Sequence, residues 1–176
     1  MKGESSIAAK LARFAADLRY EDIPARVLDR AKYLILDAVG IAWASTNYDF
    51  AHRMVSAATE LSGKHGKSPV IGLPHLLQLR DAMLLNGLLI HGLDFDDTHP
   101  RGVIHATASS LPLSLGVAAD ADLDGASLLA AYVVAMEAST RLGAVAKGGF
   151  HQVGFHPTGL IGAFGCALAA GRLLGL

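Results

Sequence analysis

Several things are scarce in this sequence, and each scarcity excludes a class. The single cysteine, Cys166, rules out a disulfide framework and a cysteine-rich zinc site, and it suits a reducing, cytoplasmic setting. Lys10 interrupts the apolar run starting at Ile7 that a signal peptide would need as its core. Charged residues are 18% of the chain and the net charge is -1. Without clustered Lys and Arg there is no electrostatic footprint for nucleic acid or an acidic membrane surface, so neither is expected as a partner. Aromatics are 6%, yet 52% of residues are hydrophobic, carried by Ala, Leu, Val and Ile, which excludes disorder. No charged side chain lies between Gly148 and Gly171. His151, Gln152, His156, Pro157 and seven glycines there fit a tightly packed helix entered through a polar loop better than a lipid-facing span.

Period-2 alternation of useful length, internal repeats and low-complexity tracts are also missing. What is present is helical periodicity over 176 residues, a length suited to one domain. Ile7, Leu11, Phe14 and Leu18 form one stripe behind a Ser5 or Ser6 N-cap. Pro24 opens a second helix running to about Ala44, whose end from Leu34 is apolar enough to be buried on several sides. Helices are expected over 50–61, from Leu76 to about Leu93, from His105 or Ala106 to Ala119 around Pro112, and over 126–146 behind an Asp124 cap. Residues 63–69 read as a loop, Val70-Ile71-Gly72 as a brief extended piece, 94–104 as a loop and 148–154 as a flexible connection. Pro157 begins a last helix that reaches Leu176 without a stop signal. The fold class is all-α, a helical bundle, with Gly159, Gly162, Ala163 and Cys166 making a face that lets helices approach closely. Part of the apolar surplus should meet another subunit or a further segment.

Familiar short motifs fail. Leu61 stands where a P-loop ending at Ser68 needs glycine, and no strand precedes it. The segment from Gly159 to Gly165 lacks the spacing of a dinucleotide site, Pro112 replaces the first glycine of a nucleophile elbow, and there is no H-E-x-x-H.

Chemistry is concentrated instead in two clusters. The first is His91-Gly92-Leu93-Asp94-Phe95-Asp96-Asp97-Thr98-His99-Pro100, followed by His105. Imidazoles and carboxylates at a helix-to-loop junction suit proton transfer or metal binding, although the same acids can serve as helix or turn caps. Magnesium held by Asp94, Asp96 and Asp97 in a prenyl-transfer-like site is an alternative, but their spacing does not aim them together and cations to clamp a diphosphate are sparse. No metal is therefore expected. The second cluster runs from Gly149 to Gly159 and places His156 immediately before the proline-initiated helix. A helix N-terminus disfavours imidazolium, leaving a neutral ring able to accept a proton, and its free N–H groups suit a carboxylate ligand.

Asn86-Gly87, His91 through Thr98, Ile104-His105-Ala106-Thr107 and Gly154-Phe155-His156-Pro157-Thr158-Gly159 together resemble the MmgE/PrpD family, which includes 2-methylcitrate dehydratase, cis-aconitate decarboxylase and iminodisuccinate epimerase. The resemblance extends over the whole chain, 1–176. It implies the N-terminal part of an all-helical domain, with the family's α/β lid and its functional lysines and tyrosine lying beyond this chain. It further implies a homodimer without organic cofactor, acting on a small di- or tricarboxylate by dehydration, decarboxylation or epimerisation, and inactive as this chain alone. Catalytic roles fall by resemblance on His105 and His156, and substrate-binding roles on Asp94 and Thr98. His105 is followed by Ala106-Thr107, where 2-methylcitrate dehydratases carry a His-Pro-Ser type continuation, so another branch is expected. The competing expectation is a non-catalytic helical remnant or dimerisation module.

Overall fold

The computed structural model describes residues 6–62 and 66–176. Among them are eight α-helices and one two-stranded hairpin: α1 (Ile7–Asp17), α2 (Ala25–Ser45), α3 (Asp49–Ser62), β1 (Ser68–Val70), β2 (Leu73–Leu77), α4 (Leu79–His91), α5 (Thr107–Asp120), α6 (Gly125–Val145), α7 (Gly149–Gln152) and α8 (Pro157–Leu173). The all-α expectation holds. Ser6 caps α1 by accepting the Ala9 N–H at 3.2 Å, and Asp124 caps α6 by accepting that of Ser127 at 2.8 Å. Of the expected loop over 63–69, residues 63–65 lie outside the described residues.

Four local expectations need correction. Leu76 and Leu77 do not start α4; they pair antiparallel with Pro69 and Ser68. Pro74, which lacks an N–H, is tolerated because a two-stranded hairpin has only edge strands. The second half of α2 buries one face only, through Ala38, Ile41, Ala42 and Ser45, while Leu36 and Trp43 are 68% and 62% exposed. The 148–154 connection contains the short helix α7 between Gly148 and Gly154, both at positive φ. The last helix does have a stop: Gly175 adopts φ +69, its N–H bonds to Arg172 O at 3.2 Å, and the Leu176 N–H bonds to Gly171 O at 2.9 Å, the paired closure of a Schellman motif.

α4 occupies the centre, with Leu85, Leu89 and Ile90 almost wholly buried among residues of α2, α3, α5 and α6. α5 crosses it closely where Pro112 leaves the Ala108 carbonyl without its helical donor. That oxygen faces Gly87, where a Cβ would stand only 2.9 Å away. α8 lies on α5 and α6 with equal closeness: a Cβ on Gly162 would meet Ser109 Oγ at 2.7 Å, and one on Gly165 would meet Ala135 O at 2.7 Å. Gly159, expected in this contact, has open space around it. Arg172 near the end of α8 donates to Ala15 O at 2.8 Å, satisfying a carbonyl at the end of α1. The helix long and apolar enough to cross a membrane, among the described residues, is α6, and half of that stretch is buried inside the protein.

Asn86 ties the hairpin to α4. Its Oδ1 accepts the Ile71 N–H at 2.8 Å and its Nδ2 donates to Pro69 O at 3.1 Å. Asn86→Ala leaves both backbone groups without partners and should cost about 1–3 kcal/mol of stability. Hydrogen exchange at Ile71 reads this directly: the amide should lose protection in the variant, and unchanged protection would show that Asn86 does not hold the hairpin.

Candidate functional site

The site is assembled from the end of α4, the loop joining α4 to α5, and the first turn of α8. His91 closes α4, and Gly92 comes next because a Cβ there would run into the Phe50 ring. Asp94 then takes φ +52, a left-handed turn that Asp tolerates better than most residues, and its N–H bonds to His91 O at 2.8 Å. This reversal folds the next residues back over the helix end. Asp96 becomes buried, with 1% of its side chain exposed, and its Oδ1 lies 3.0 Å from His91 Nδ1 and 3.4 Å from His105 Nδ1. Asp94 stays exposed, its Oδ1 3.7 Å from His105 Nε2.

Asp97 does something different. Its Oδ1 accepts the Thr107 N–H at 3.0 Å and so caps α5 from ten residues upstream. Burial pushes its carboxyl above the ordinary carboxylate range, an effect opposed by the Thr107 hydrogen bonds. Thr107 Oγ1 also lies 2.7 Å from Tyr132 Oη, and burial pushes that phenol up as well.

α8 supplies the other wall. Thr158 Oγ1 accepts the His105 N–H at 3.0 Å, joining the start of α8 to the start of α5. His156 is the N-cap residue of α8, its Nδ1 accepting the Thr158 N–H at 3.3 Å. Since Nδ1 spends its lone pair on the cap, the neutral ring carries its proton on Nε2. The expected proton acceptor is thus arranged as a hydrogen-bond donor. The His91 ring centroid lies 4.9 Å from that of His105 and 6.0 Å from that of His156, and His151 is 6.3 Å from His156. A cleft of about 570 Å³ between α4, α5 and α8 has His91 and Thr158 in its lining.

Three residues singled out from sequence, Asp94, His105 and His156, therefore belong to one neighbourhood. Thr98 lines a separate cavity of about 600 Å³ with Arg30, Asp37, His99 and Thr140. Arg101 and Lys147, the cations nearest in sequence, line another hollow. His91 and Asp96 belong to the first sequence cluster, but nothing in the spacing marks them as the pair that organises it. Ligating atoms of His91, Asp94, Asp96 and His105 all fall within 4.8 Å of one another, a mixed nitrogen and oxygen set that the spacing does not announce. A cation there would need one lone pair from each ring, whereas both Nδ1 atoms now face one carboxylate oxygen, as Nδ1–H donors would. Asp97 is not one of these four; its Oδ1 is turned to the start of α5.

Residues 9–176 match the family model of the MmgE/PrpD N-terminal domain. A cis-aconitate decarboxylase of Aspergillus terreus is 30% identical over 179 residues, which are 98% of this chain and 36% of the relative. The cis-aconitate decarboxylase of Homo sapiens is 33% identical over 182 residues, 97% of this chain and 36% of the relative. That of Mus musculus is 30% identical over 178 residues, with the same two shares. The chain thus spans about 36% of the length of these relatives.

Asp97→Asn keeps an oxygen for the Thr107 N–H while removing the buried charge. A carboxyl whose value is raised by folding contributes fully below the ordinary carboxylate range, and that contribution is lost as pH rises through the raised value. The variant should therefore gain thermal stability relative to the parent as pH rises from about 4 towards neutrality. Calorimetry at both ends measures the difference, and a difference independent of pH would rule out the buried charge as its origin.

Proposed function

The chain belongs to the MmgE/PrpD family, and on that premise we propose that it is the N-terminal helical part of a lyase or isomerase acting on a small di- or tricarboxylate. The observation that carries the proposal is the convergence of His105 and His156 across the Thr158 hydrogen bond, one ring flanked by carboxylates and the other placed at a helix start. Dehydration, decarboxylation and epimerisation of such acids share one requirement: a proton moves to or from a carbon near a carboxylate, and the charge that develops on oxygen must be stabilised.

His105 suits the first task. Its Nδ1 faces Asp96, so the lone pair for the reacting proton is on Nε2, at the exposed Asp94 side. In dehydration or epimerisation the proton leaves carbon for Nε2, the C–H electron pair remains on the substrate as the enolate, and the new imidazolium sits between two carboxylates. In decarboxylation the same ring starts as imidazolium and gives its Nε2 proton to a substrate carbon, while CO2 leaves and the electron pair of the broken C–C bond stays on the substrate. His156 suits the second task, its Nε2–H donating a hydrogen bond to a substrate oxygen beside the positive end of α8. In the same proposal Asp94 orients the substrate beside His105, no organic cofactor takes part, and the working form is a homodimer. The relatives carry the name cis-aconitate decarboxylase, which makes decarboxylation the first of the three reactions to assay.

The test uses the longer protein that contains this chain, with cis-aconitate and 2-methylcitrate as substrates. His105→Gln should lower kcat by about 10²-fold or more. His156→Asn, which retains a good N-cap, should lower turnover while leaving the melting temperature nearly unchanged. Absence of turnover on every di- and tricarboxylate tried, or full activity in both variants, would overturn the proposal.

A further inference from the structure

We propose that Asp96 and His91 are positioning residues: the buried Asp96 carboxylate holds both His91 and His105 as Nδ1–H rings, while the α8 cap holds His156 as the opposite Nε2–H ring. The inference rests on the function proposed above and deepens it, because it divides the proton-accepting and hydrogen-bond-donating roles among histidines that look equivalent in sequence.

A carboxylate oxygen can only accept, so a neutral imidazole whose Nδ1 lies 3.0 Å from Asp96 Oδ1 must carry its proton there, as His91 does. His105 approaches the same oxygen at 3.4 Å. Asp96 Oδ2 is buried without a hydrogen-bond partner among the described residues, and so is His105 Nδ1. These two complementary groups sit at one carboxylate, and burial makes leaving both unpaired costly. In the proposed arrangement the His105 Nδ1–H donates to the Asp96 carboxylate, which gives the buried ring nitrogen a partner. His91 is thereby more than a neighbour of the site. Its bond fixes the orientation of the Asp96 carboxylate, and the two rings stand 4.9 Å apart, so His91 limits how His105 can turn.

On the other wall Thr158 is used twice. Its N–H fixes His156 through Nδ1, and its Oγ1 fixes the backbone of His105. Consequently the spacing between the two functional rings and the proton on each are set by one threonine and one aspartate, and neither need touch the substrate.

Long-range ¹⁵N NMR of histidine side chains in the full protein, at alkaline pH where imidazoles are neutral, reads the protons directly. His91 and His105 should be Nδ1–H and His156 Nε2–H. Asp96→Asn should move His91 and His105 towards Nε2–H and lower kcat by roughly tenfold to a hundredfold with KM within about twofold, and Asp96→Glu should partly restore both. A parent protein with His91 or His105 as Nε2–H or His156 as Nδ1–H overturns the proposal, as does a folded Asp96→Asn variant with parental tautomers and kcat. Metal-bound ring nitrogens together with stoichiometric metal also overturn it. If Asp96→Asn does not fold, the parent spectrum alone decides. The expected tautomers in a protein that turns over no di- or tricarboxylate would uphold the positioning and sink the lyase proposal, so the two fail separately.

Discussion

The close approach of α8 to α5 and α6 is the constraint on which the rest of the molecule depends. Backbone replaces side chain at Gly162 and Gly165, so α8 settles against two helices at a distance that most residues would forbid. The first turn of α8 is then carried to the start of α5, where Thr158 meets the His105 backbone at 3.0 Å. A methyl group at Gly165 would meet the Ala135 carbonyl and push the helix, and with it His156, away from the histidines it faces. The small residues of α8 thus act on function through distance, although they contain no chemistry of their own.

Burial of Asp96 is the second constraint, and it results from the fold-back at Asp94. Removing a carboxyl group from water is costly unless donors compensate it. Here the compensation comes from the His91 hydrogen bond, with the His105 ring 3.4 Å away, and in the proposed arrangement these contacts also determine which ring nitrogen remains available. A lysine in the same place would satisfy the charge and leave no orientable lone pair for the substrate side. Stability and chemistry therefore draw on the same contacts at this position, and for that reason a substitution at Asp96 must be judged by proton location and not by loss of activity alone.

Much of this is legible in the sequence wherever the information is local. Ser6 and Asp124 announce helix starts by their residue type, Pro157 announces another by its fixed φ, and the apolar stripes of α1 and α2 arise from 3.6-residue spacing. Gly175 is equally local, but a glycine with a single residue after it carries too little context to read as a left-handed stop. The remaining differences are tertiary. Asp94, Asp96 and Asp97 are nearly adjacent and chemically alike, but one faces solvent beside His105, one is buried on two imidazoles and one caps a helix ten residues away. No spacing rule separates them, because each role is assigned by a partner elsewhere in the chain. β2 is hidden for a similar reason: Leu76 and Leu77 fit a helix until Pro69 and Ser68 claim them as strand partners.

Charge balance carries the last step. Among the described residues Asp94 and Asp96 are paired with histidines and not with lysine or arginine, so with neutral rings the cluster is negative. A di- or tricarboxylate would be repelled from such a surface, and an enolate more so. Protonated histidines reduce the repulsion, yet His105 must begin without its second proton if it is to accept one. The balancing positive charge in the proposed reaction must then come from groups outside the cluster, and Arg101 and Lys147 face another hollow. The relatives are nearly three times as long as the matched segment. In the proposed enzyme, this cluster provides proton handling and orientation, and the positive charge comes from groups that lie outside it.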